Sequence, residues 1–519
     1  MATPTQPIAD LSAAILTTPV PIAHWLIIAP VVLPLALAAI LLIIRAAPRL
    51  QAAIAISGLA LLAVIDAALL RQVVADGPVT MVMGRWLPPF GIAFTVDVFG
   101  AVMTLTAAAA ALAGGLYALV DIDDAGRRHG FFPLLLMLMA GVGGAFLTGD
   151  LFNLYVWFEV LLISSFGLLI IGSGRVQIDG AMKYAVLNLI ATTLFLIAVG
   201  ILYAVFGTLN VADIATKAGE LADSAPLMTL ACLFLLAFAM KAAAFPVNFW
   251  LPASYHTPRI VVSALFAGLL TKVGVYALIR VLVMLLPLER EQLSLLIAVA
   301  GAATTVLGAL GALAQDDIRK LLGYVVISGI GNMLIGVAIA TTGALSGAVF
   351  YAIHAMLVMT ALYLVAGQAA FLGGSYSLTR LGGLYRRNGL FAALSLILFL
   401  AACGLPPFSG FWPKLILVKA SLDVGAWWLA AAILIAGFVT TLAFGRVFLL
   451  AYWRPATESA ETYVAIGWRP LLPLILLCAL VVGIGILPER LLALTQSAAA
   501  ELTDPYAYIQ SVFPGGVAP

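Results

Sequence analysis

The sequence predicts an all-α polytopic membrane protein with about 14 transmembrane helices. A soluble domain is about half apolar and about a quarter charged, whereas this chain is 64% hydrophobic and 9% charged. Apolar runs of about 20 residues, the length that crosses a hydrocarbon core of about 30 Å, recur along all 519 residues. They leave no stretch for a separate soluble domain, so we interpret residues 1–519 as a single membrane domain.

Each predicted transmembrane segment, called a span here, is an apolar run bounded by charges, proline or glycine. The spans are numbered 1 to 14 in chain order. They cover residues 24–44, 51–74, 97–119, 131–148, 151–172, 181–206, 226–246, 256–286, 292–314, 322–341, 343–371, 389–422, 426–453 and 469–489.

Proline and glycine interrupt two spans in comparable ways, with AFPVNFW in span 7 and GLPPFSGFWP in span 12. Paired broken helices are typical of transporters built from inverted repeats, with an ion path near the membrane midplane. The two breaks lie five spans apart, which predicts two inverted five-helix repeats. The predicted parts are three N-terminal helices (24–119), a first repeat of spans 4–8 (131–286), a second of spans 9–13 (292–453) and a last helix (469–489).

The distribution of basic residues predicts the orientation. The loops after odd-numbered spans hold about twice as many Lys and Arg residues as the loops on the opposite side. Because basic loops stay in the cytoplasm, both termini are expected to face outward. Residues 1–20 contain no Lys or Arg and so lack the basic start of a signal peptide. Span 1 is therefore expected to be retained.

Five ionisable residues lie where an apolar helix should carry none. A charge at a helix centre costs about 2.5–3.5 kcal/mol on insertion scales and, where it persists, usually faces the protein interior. These candidate functional residues are Glu159, Lys241, Lys272, His354 and, directly after the break in span 12, Lys414.

A membrane lysine can also extend its flexible stem to the interface without any functional role. Lys272 is too deep for this, since it is thirteen residues from Arg259 and eight from Arg280, or about 20 and 12 Å along a helix. For Lys241 and Lys414, which lie beside broken helices, both interpretations stay open. The sequence therefore favours an interior role most strongly for Lys272.

Glu159 and Lys241 together could form a switch. Burial favours the neutral form of each side chain unless the two meet and hold one another charged. Separation of the pair would then release the lysine's proton. For His354, a neutral imidazole that only hydrogen-bonds across helices is an equally open alternative. Asp66 and Asp97 lie nearer span ends and are interpreted as interfacial or packing residues.

Several function classes are excluded or disfavoured. The net charge of +2 gives no indication of nucleic-acid binding. There is no Gly-rich phosphate loop, metal-ligand spacing or nucleophile with a base, so neither an enzyme nor a cofactor is expected. No cluster of carboxylates and carbonyls marks a sodium site. A carrier for organic solutes would need a polar substrate pocket, and none is visible.

Five segments carry a resemblance to a known family. They are DLFNLYVWFEVLLISSFGLL with Glu159, MKAAAFPVNFWLPASYHTP with Lys241, SALFAGLLTKVGVYALIR with Lys272, QDDIRKLLGYVVISGIGNM, and GLPPFSGFWPKLILVK with Lys414. Together they resemble the antiporter-like proton-translocating subunits of Mrp-type multisubunit cation/proton antiporters, respiratory complex I and membrane-bound hydrogenases. The segments TGDLFNLYVWFE and RWLPPFGIAFTVD, with Lys414, look most like the D subunits of Mrp antiporters.

The resemblance implies the fourteen-helix fold with inverted repeats, a cell-membrane location and a hetero-oligomer with other antiporter subunits. It also implies a proton relay in which Glu159 and Lys241 are the input pair, Lys272 the central relay and Lys414 the terminal site, with His354 assisting. Protons and Na⁺ or K⁺ would be the transported ions. The alternative is a component of complex I or a hydrogenase that uses the same relay with a redox energy source.

Overall fold

A computed structural model of the chain describes residues 15–16, 20–221, 224–456 and 467–514. The predicted absence of a signal peptide and the outward placement of the termini concern ends that mostly lie outside these ranges, so both stay predictions. In the described ranges, eleven helices are long and apolar enough to cross a membrane, and three shorter apolar helices accompany them. Together these fourteen helices correspond to the fourteen predicted spans.

The first half of the chain forms spans 1 to 8. Its helices are α1 Trp25–Ile43, α2 Pro48–Asp76, α3 Val98–Asp121, α4 Asp124–Arg128, α5 Phe131–Leu147, α6 Leu151–Ile170, α7 Arg175–Phe206, α8 Val211–Leu221, α9 Leu227–Ala242, α10 Trp250–Ser254 and α11 Ile260–Ile279. A π-helical turn, Arg280–Leu285, extends α11. Span 7 is therefore two helices, α9 and α10.

The second half forms spans 9 to 14 and a C-terminal extension. Its helices are α12 Pro287–Gln292, α13 Ser294–Leu313, α14 Ile318–Ile339, α15 Thr342–Gly373, α16 Leu384–Arg387, α17 Gly389–Cys403, α18 Phe411–Asp423, α19 Trp427–Val447, α20 Trp468–Ile486, α21 Glu489–Thr503 and α22 Tyr506–Val512. Span 12 is broken into α17 and α18, as the sequence predicts.

Two separate features confirm the internal repeat. An isolated β-bridge joins Asp150 to Asn210 in the first repeat, and another joins Asp317 to Ser377 in the second. Each residue of the second bridge lies 167 positions after its counterpart in the first. In both broken spans, the residue that follows the first helix has a left-handed backbone conformation; these residues are Ala243 and Gly404. An offset of five spans reverses the direction of each helix in the membrane, so the repeats are inverted. Residues 131–286 and 292–453 remain our proposed bounds.

A small β-hairpin, which the sequence did not predict, lies between spans 2 and 3. Strands β1 Val79–Val82 and β2 Ala93–Val96 are antiparallel, and β2 is fully buried. Ser511 in α22 hydrogen-bonds to Thr80 of β1 at 2.9 Å. The hairpin therefore ties the C-terminal extension to the end of the bundle where α3 begins.

The most buried spans form the centre of the bundle. Among the described spans, α15 is buried over its whole apolar window and α11 over nearly all of it, whereas less than half of the window is buried in α1, α2 and α7. Because exposed apolar side chains in such a chain contact lipid or a neighbouring membrane protein, α11 and α15 are the elements shielded from lipid. Lys272 and His354 lie on these two helices.

Candidate functional site

Glu159 lies at the edge of the bundle. It is only half-buried, so the expectation of full burial is wrong for this residue. The reason is its position on α6, where Phe152, Val156 and Ile163 are exposed and the spacing of 4, 3 and 4 residues puts all four side chains on one stripe. Within the fold of this chain, Glu159 therefore faces outward as much as inward.

Lys241 is buried at the end of α9, one turn before the break. The partial negative charge at the C-terminal end of a helix attracts a cation. Its ammonium lies 5.4 Å from the centre of the Phe158 ring, a distance at which a cation is attracted to the aromatic face. A cavity of about 20 Å³ adjoins it, with Tyr184 and Asn188 among its polar lining residues. That volume holds a single water molecule.

The predicted Glu159–Lys241 pair is not closed in this structure. Among the described residues, no ion pair or hydrogen bond joins the two side chains, although the negative charge of Glu159 acts on Lys241. Phe158, the residue beside Glu159, occupies the position next to the ammonium instead. The geometry corresponds to the separated state of the proposed switch.

Lys272 lies at the centre of the bundle, 1% exposed. Its ammonium donates a hydrogen bond of 2.5 Å to the carbonyl oxygen of Ala267 on the same helix. Two residues further on, Gly274 lets α11 approach α9, since a Cβ there would lie 2.9 Å from the Ala242 nitrogen and 3.1 Å from the Cβ of Lys241. The helices that carry Lys241 and Lys272 are thus in backbone contact beside Lys241.

Lys272 and His354 line one internal cavity of about 10 Å³, near the lower limit for a water molecule. His354 is 3% exposed, and its Nδ1 lies 2.8 Å from the hydroxyl oxygen of Ser409 in the break of span 12. A Cβ on the next residue, Gly410, would lie 2.8–2.9 Å from the imidazole ring. His354 therefore connects the Lys272 cavity to the break.

Lys414 lies in the first turn of α18, and its side chain extends back to the break. Its ammonium donates hydrogen bonds to the carbonyl oxygens of Cys403 at 2.8 Å and Ala402 at 3.2 Å. The last carbonyls of a helix have no partner within that helix, so the end of α17 supplies acceptors for the cation. Both acceptors lie at the C-terminal end of α17, so the ammonium is held at that helix end.

The structure therefore places the five candidates in three groups. Glu159 and Lys241 lie on neighbouring helices without touching, Lys272 and His354 share a cavity, and Lys414 is held at the break that Ser409 joins to His354. Ser409, Tyr184 and Asn188 were missed by sequence reasoning. Hydroxyl and amide side chains are ordinary in membrane helices, so only the position of Ser409 within a Pro-rich break gave a usable signal.

Asp66 and Asp97 are both buried within the bundle, at 0% and 1% exposure, as the packing interpretation expects. Asp97 forms an ion pair with Arg280, the first residue of the π-helical turn that extends α11. Neither carboxylate oxygen of Asp66 has a hydrogen-bond partner among the described residues.

The helix count, the inverted repeats and the lysines in the bundle centre define a polytopic membrane protein of the inverted-repeat transporter class. The chain belongs to the NADH:quinone oxidoreductase/Mrp antiporter transmembrane family, whose model matches residues 148–440. The matched region includes all five candidate residues. The family resemblance inferred from the sequence motifs is confirmed.

Individual relatives extend the similarity beyond that region. The chain is 35% identical over 487 residues to the D subunit of the Na(+)/H(+) antiporter of Alkalihalophilus pseudofirmus, covering 94% of this chain and 99% of the relative. It is similar to a chain of the Mrp complex from Dietzia sp. DQ12-45-1b, with a TM-score of 0.88, 30% identity, and 95% and 100% coverage. It is also similar to a chain of respiratory complex I from Thermus thermophilus, with a TM-score of 0.80 and 25% identity. That match covers 92% of this chain and 99% of the other.

Proposed function

We propose that this chain is the proton-translocating D subunit of a Mrp-type monovalent cation/proton antiporter in the cell membrane. Protons would move along Glu159, Lys241, Lys272 and Lys414, with His354 between the last two. The observation that best supports this proposal is a series of polar groups inside the bundle. It runs from Lys272 through His354 and Ser409 to the break that holds the Lys414 ammonium.

The chemistry of the proposed path follows from its surroundings. Proton transfer needs donors and acceptors within hydrogen-bond reach, directly or through one water molecule. The small cavities beside Lys241 and between Lys272 and His354 are the places where one water could complete such contacts. Because the cavities are small, the path would conduct only when water enters, so each transfer can be controlled separately.

Partner subunits are part of the proposal. The carboxylate of Glu159 lies on a stripe of α6 whose other members are exposed and apolar. A carboxylate facing lipid is costly, so a neighbouring membrane protein of the assembly would shield it and deliver the proton that Lys241 receives. The relative named as a component of a Na(+)/H(+) antiporter supports this assembly, as does the similarity to a chain of a Mrp complex.

The test is cation-driven proton exchange by the assembled complex in vesicles. Glu159→Ala and Lys414→Ala should each lower the exchange rate about 100-fold or more, the range for removing a proton-transfer group. Lys419→Ala is the matched control, since Lys419 lies on the same helix as Lys414, is exposed and forms an ion pair with Asp423 one turn further along the helix. Exchange at the wild-type rate by the Lys414 variant would refute the relay.

A second candidate uses the same relay in a redox-driven pump, and the similarity to complex I from Thermus thermophilus supports it. The higher identity to the antiporter relative favours the first candidate. Exchange driven by an imposed Na⁺ or K⁺ gradient, with no electron donor present, distinguishes them. The redox candidate requires that such exchange be absent from the purified complex.

A further inference from the structure

A second cluster of charges lies at the end of the bundle where α3 begins, away from the five relay candidates. Arg280 is 6% exposed and Asp97 1% exposed, and the guanidinium of Arg280 forms an ion pair with Oδ1 of Asp97. The same Asp97 oxygen accepts a hydrogen bond from the Gly100 backbone N–H at 2.9 Å. Asp97 therefore caps α3 and anchors Arg280 at once.

Aromatic rings enclose the guanidinium. Its central carbon lies 5.4 Å from the ring of Phe99, 5.3 Å from Tyr276 and 5.4 Å from Tyr508. The Nε of Arg280 also donates to the hydroxyl of Tyr276 at 3.1 Å. An arginine so surrounded is held permanently charged and fixed in place, so any change of charge in the cluster must occur on a carboxylate.

A second carboxylate approaches from the C-terminal extension. Glu501 on α21 accepts a hydrogen bond of 3.2 Å from the backbone N–H of Val98, the first residue of α3. It interacts electrostatically with both Asp97 and Arg280. Oδ2 of Asp97 is buried and has no hydrogen-bond partner among the residues that the structure describes. Two carboxylates therefore lie within electrostatic range of one guanidinium, which forms its ion pair with Asp97.

The charge balance points to a bound proton. With both carboxylates ionised the cluster carries a net charge of −1, which is costly in a buried setting, and one proton neutralises it. A fixed arginine repels a metal ion at the same position, so a monovalent cation is disfavoured as the ligand. The cluster also lies on the helix of Lys272, since Lys272, Tyr276 and Arg280 are spaced four residues apart on one face of α11.

We propose that Asp97, Arg280 and Glu501 form a second proton-binding site, in which Glu501 exchanges protons with the solution at this end of the bundle. The inference rests on the proposed function, because the site would serve proton movement through the same chain. Tyr276 is the group that lies between it and the central lysine. In this structure the Lys272 ammonium turns the other way, to Ala267, so transfer requires rotation of the lysine side chain.

The surroundings of Glu501 support a proton exchanged near neutrality. Burial, and then the charge of Asp97, raise the pKa of Glu501 to about 7, against the lowering effects of the Val98 N–H, Arg280 and Ser497. Asp504 on the same chain segment is exposed. Helix α15 contacts α21 through a hydrogen bond of 2.9 Å between Ser346 and Thr495, and residues 342–350 around Ser346 carry no ionisable side chain.

The test varies the pH on the α21 side of vesicles that contain the whole complex. Wild-type exchange should titrate near pH 7 on that side, following the pKa of Glu501 of about 7. Glu501→Gln, which keeps the acceptor for the Val98 N–H, should lose this titration and exchange severalfold more slowly. Glu489→Gln is the control, an exposed glutamate on the same helix, and should keep the wild-type profile.

A second variant guards against failure of Glu501→Gln to assemble. Ser497 is exposed and its hydroxyl stabilises ionised Glu501, so Ser497→Ala should move the titration to higher pH without affecting assembly. Unchanged pH profiles in both variants overturn the proposal. Failure of the proposed function gives a different result. In that case the Lys414→Ala complex would exchange at the wild-type rate, independently of the pH profiles of the Glu501 and Ser497 variants.

Discussion

Lys272 and His354, on the two most buried helices of the bundle, line one cavity of about 10 Å³. That volume is close to the minimum for one water molecule, which would then contact both side chains. The imidazole is fixed on its other side by Ser409 at 2.8 Å. The pair therefore joins the bundle centre to the broken span.

Replacing His354 by Leu should lower proton exchange at least about tenfold, because the link between Lys272 and the break loses the imidazole that hydrogen-bonds to Ser409. The leucine is similar in volume, so assembly should persist. Exchange by the reconstituted complex is the measurement. His129→Leu, at an exposed loop position, should have no effect. If His354→Leu exchanged at the wild-type rate, the histidine would be only a packing residue.

Replacing Gly404 by Ala should impair exchange through Lys414. Gly404 is left-handed, with φ of 81°, and a Cβ there would lie 2.5 Å from Cδ and 3.0 Å from Nζ of Lys414. Gly425→Ala is the matched control, since its φ is 72° and nothing lies within 4 Å of the added Cβ. Both variants should lose about 1–2 kcal/mol of stability from the backbone. Equal exchange rates in the two would contradict the role of Lys414.

Replacing Arg280 by Met should destabilise the fold by about 3–5 kcal/mol, because Asp97 is then left buried without its partner. The double variant Arg280→Met with Asp97→Asn should recover much of that loss, since no unpaired charge remains. Thermal unfolding of the purified complex measures both. If the loss of stability in the double variant equalled the sum of the losses in the two single variants, the two side chains would not interact energetically.

The docking of α21 should weaken as the pH rises. The pKa of Glu501 is raised by burial from 4.5 to about 7, so between these values the docked state binds more protons than the undocked state. Docking is then strongest below about pH 4.5 and is progressively lost as the pH rises to 7. The protection factors of the α21 amides, which correct the exchange rates for their intrinsic dependence on pH, should fall over this interval in the wild type and stay constant in Glu501→Gln. Constant protection factors in both proteins would contradict the assignment.

The sequence was sufficient for the number of transmembrane helices and for the internal repeat. Fourteen apolar runs, two Pro- and Gly-rich interruptions and their separation of five spans predict the bundle and its repeats, because the bilayer imposes length and hydrophobicity on every crossing helix. The break at Ala243 and the one at Gly404 both lie where the proline patterns put them. These features are local, so a single sequence reveals them.

Contacts between distant segments could not be predicted. Asp97 and Arg280 are 183 residues apart, and each alone resembles an ordinary charge near a span end. The half-buried position of Glu159 depends on which face of α6 the rest of the bundle covers, and a uniformly apolar helix carries no periodic signal of its facing. The link from His354 to Ser409 likewise depends on how α15 packs against the break.

We infer that the interior lysine of α11 carries the transported proton. The variant Lys272→Met in the assembled complex tests this role, measured as Na⁺- or K⁺-driven proton exchange, with Lys183→Met as an exposed control. We expect the exchange rate to fall about 100-fold or more for Lys272→Met and to stay unchanged for the control. Exchange at the wild-type rate by an assembled Lys272→Met complex would show that Lys272 does not carry the proton.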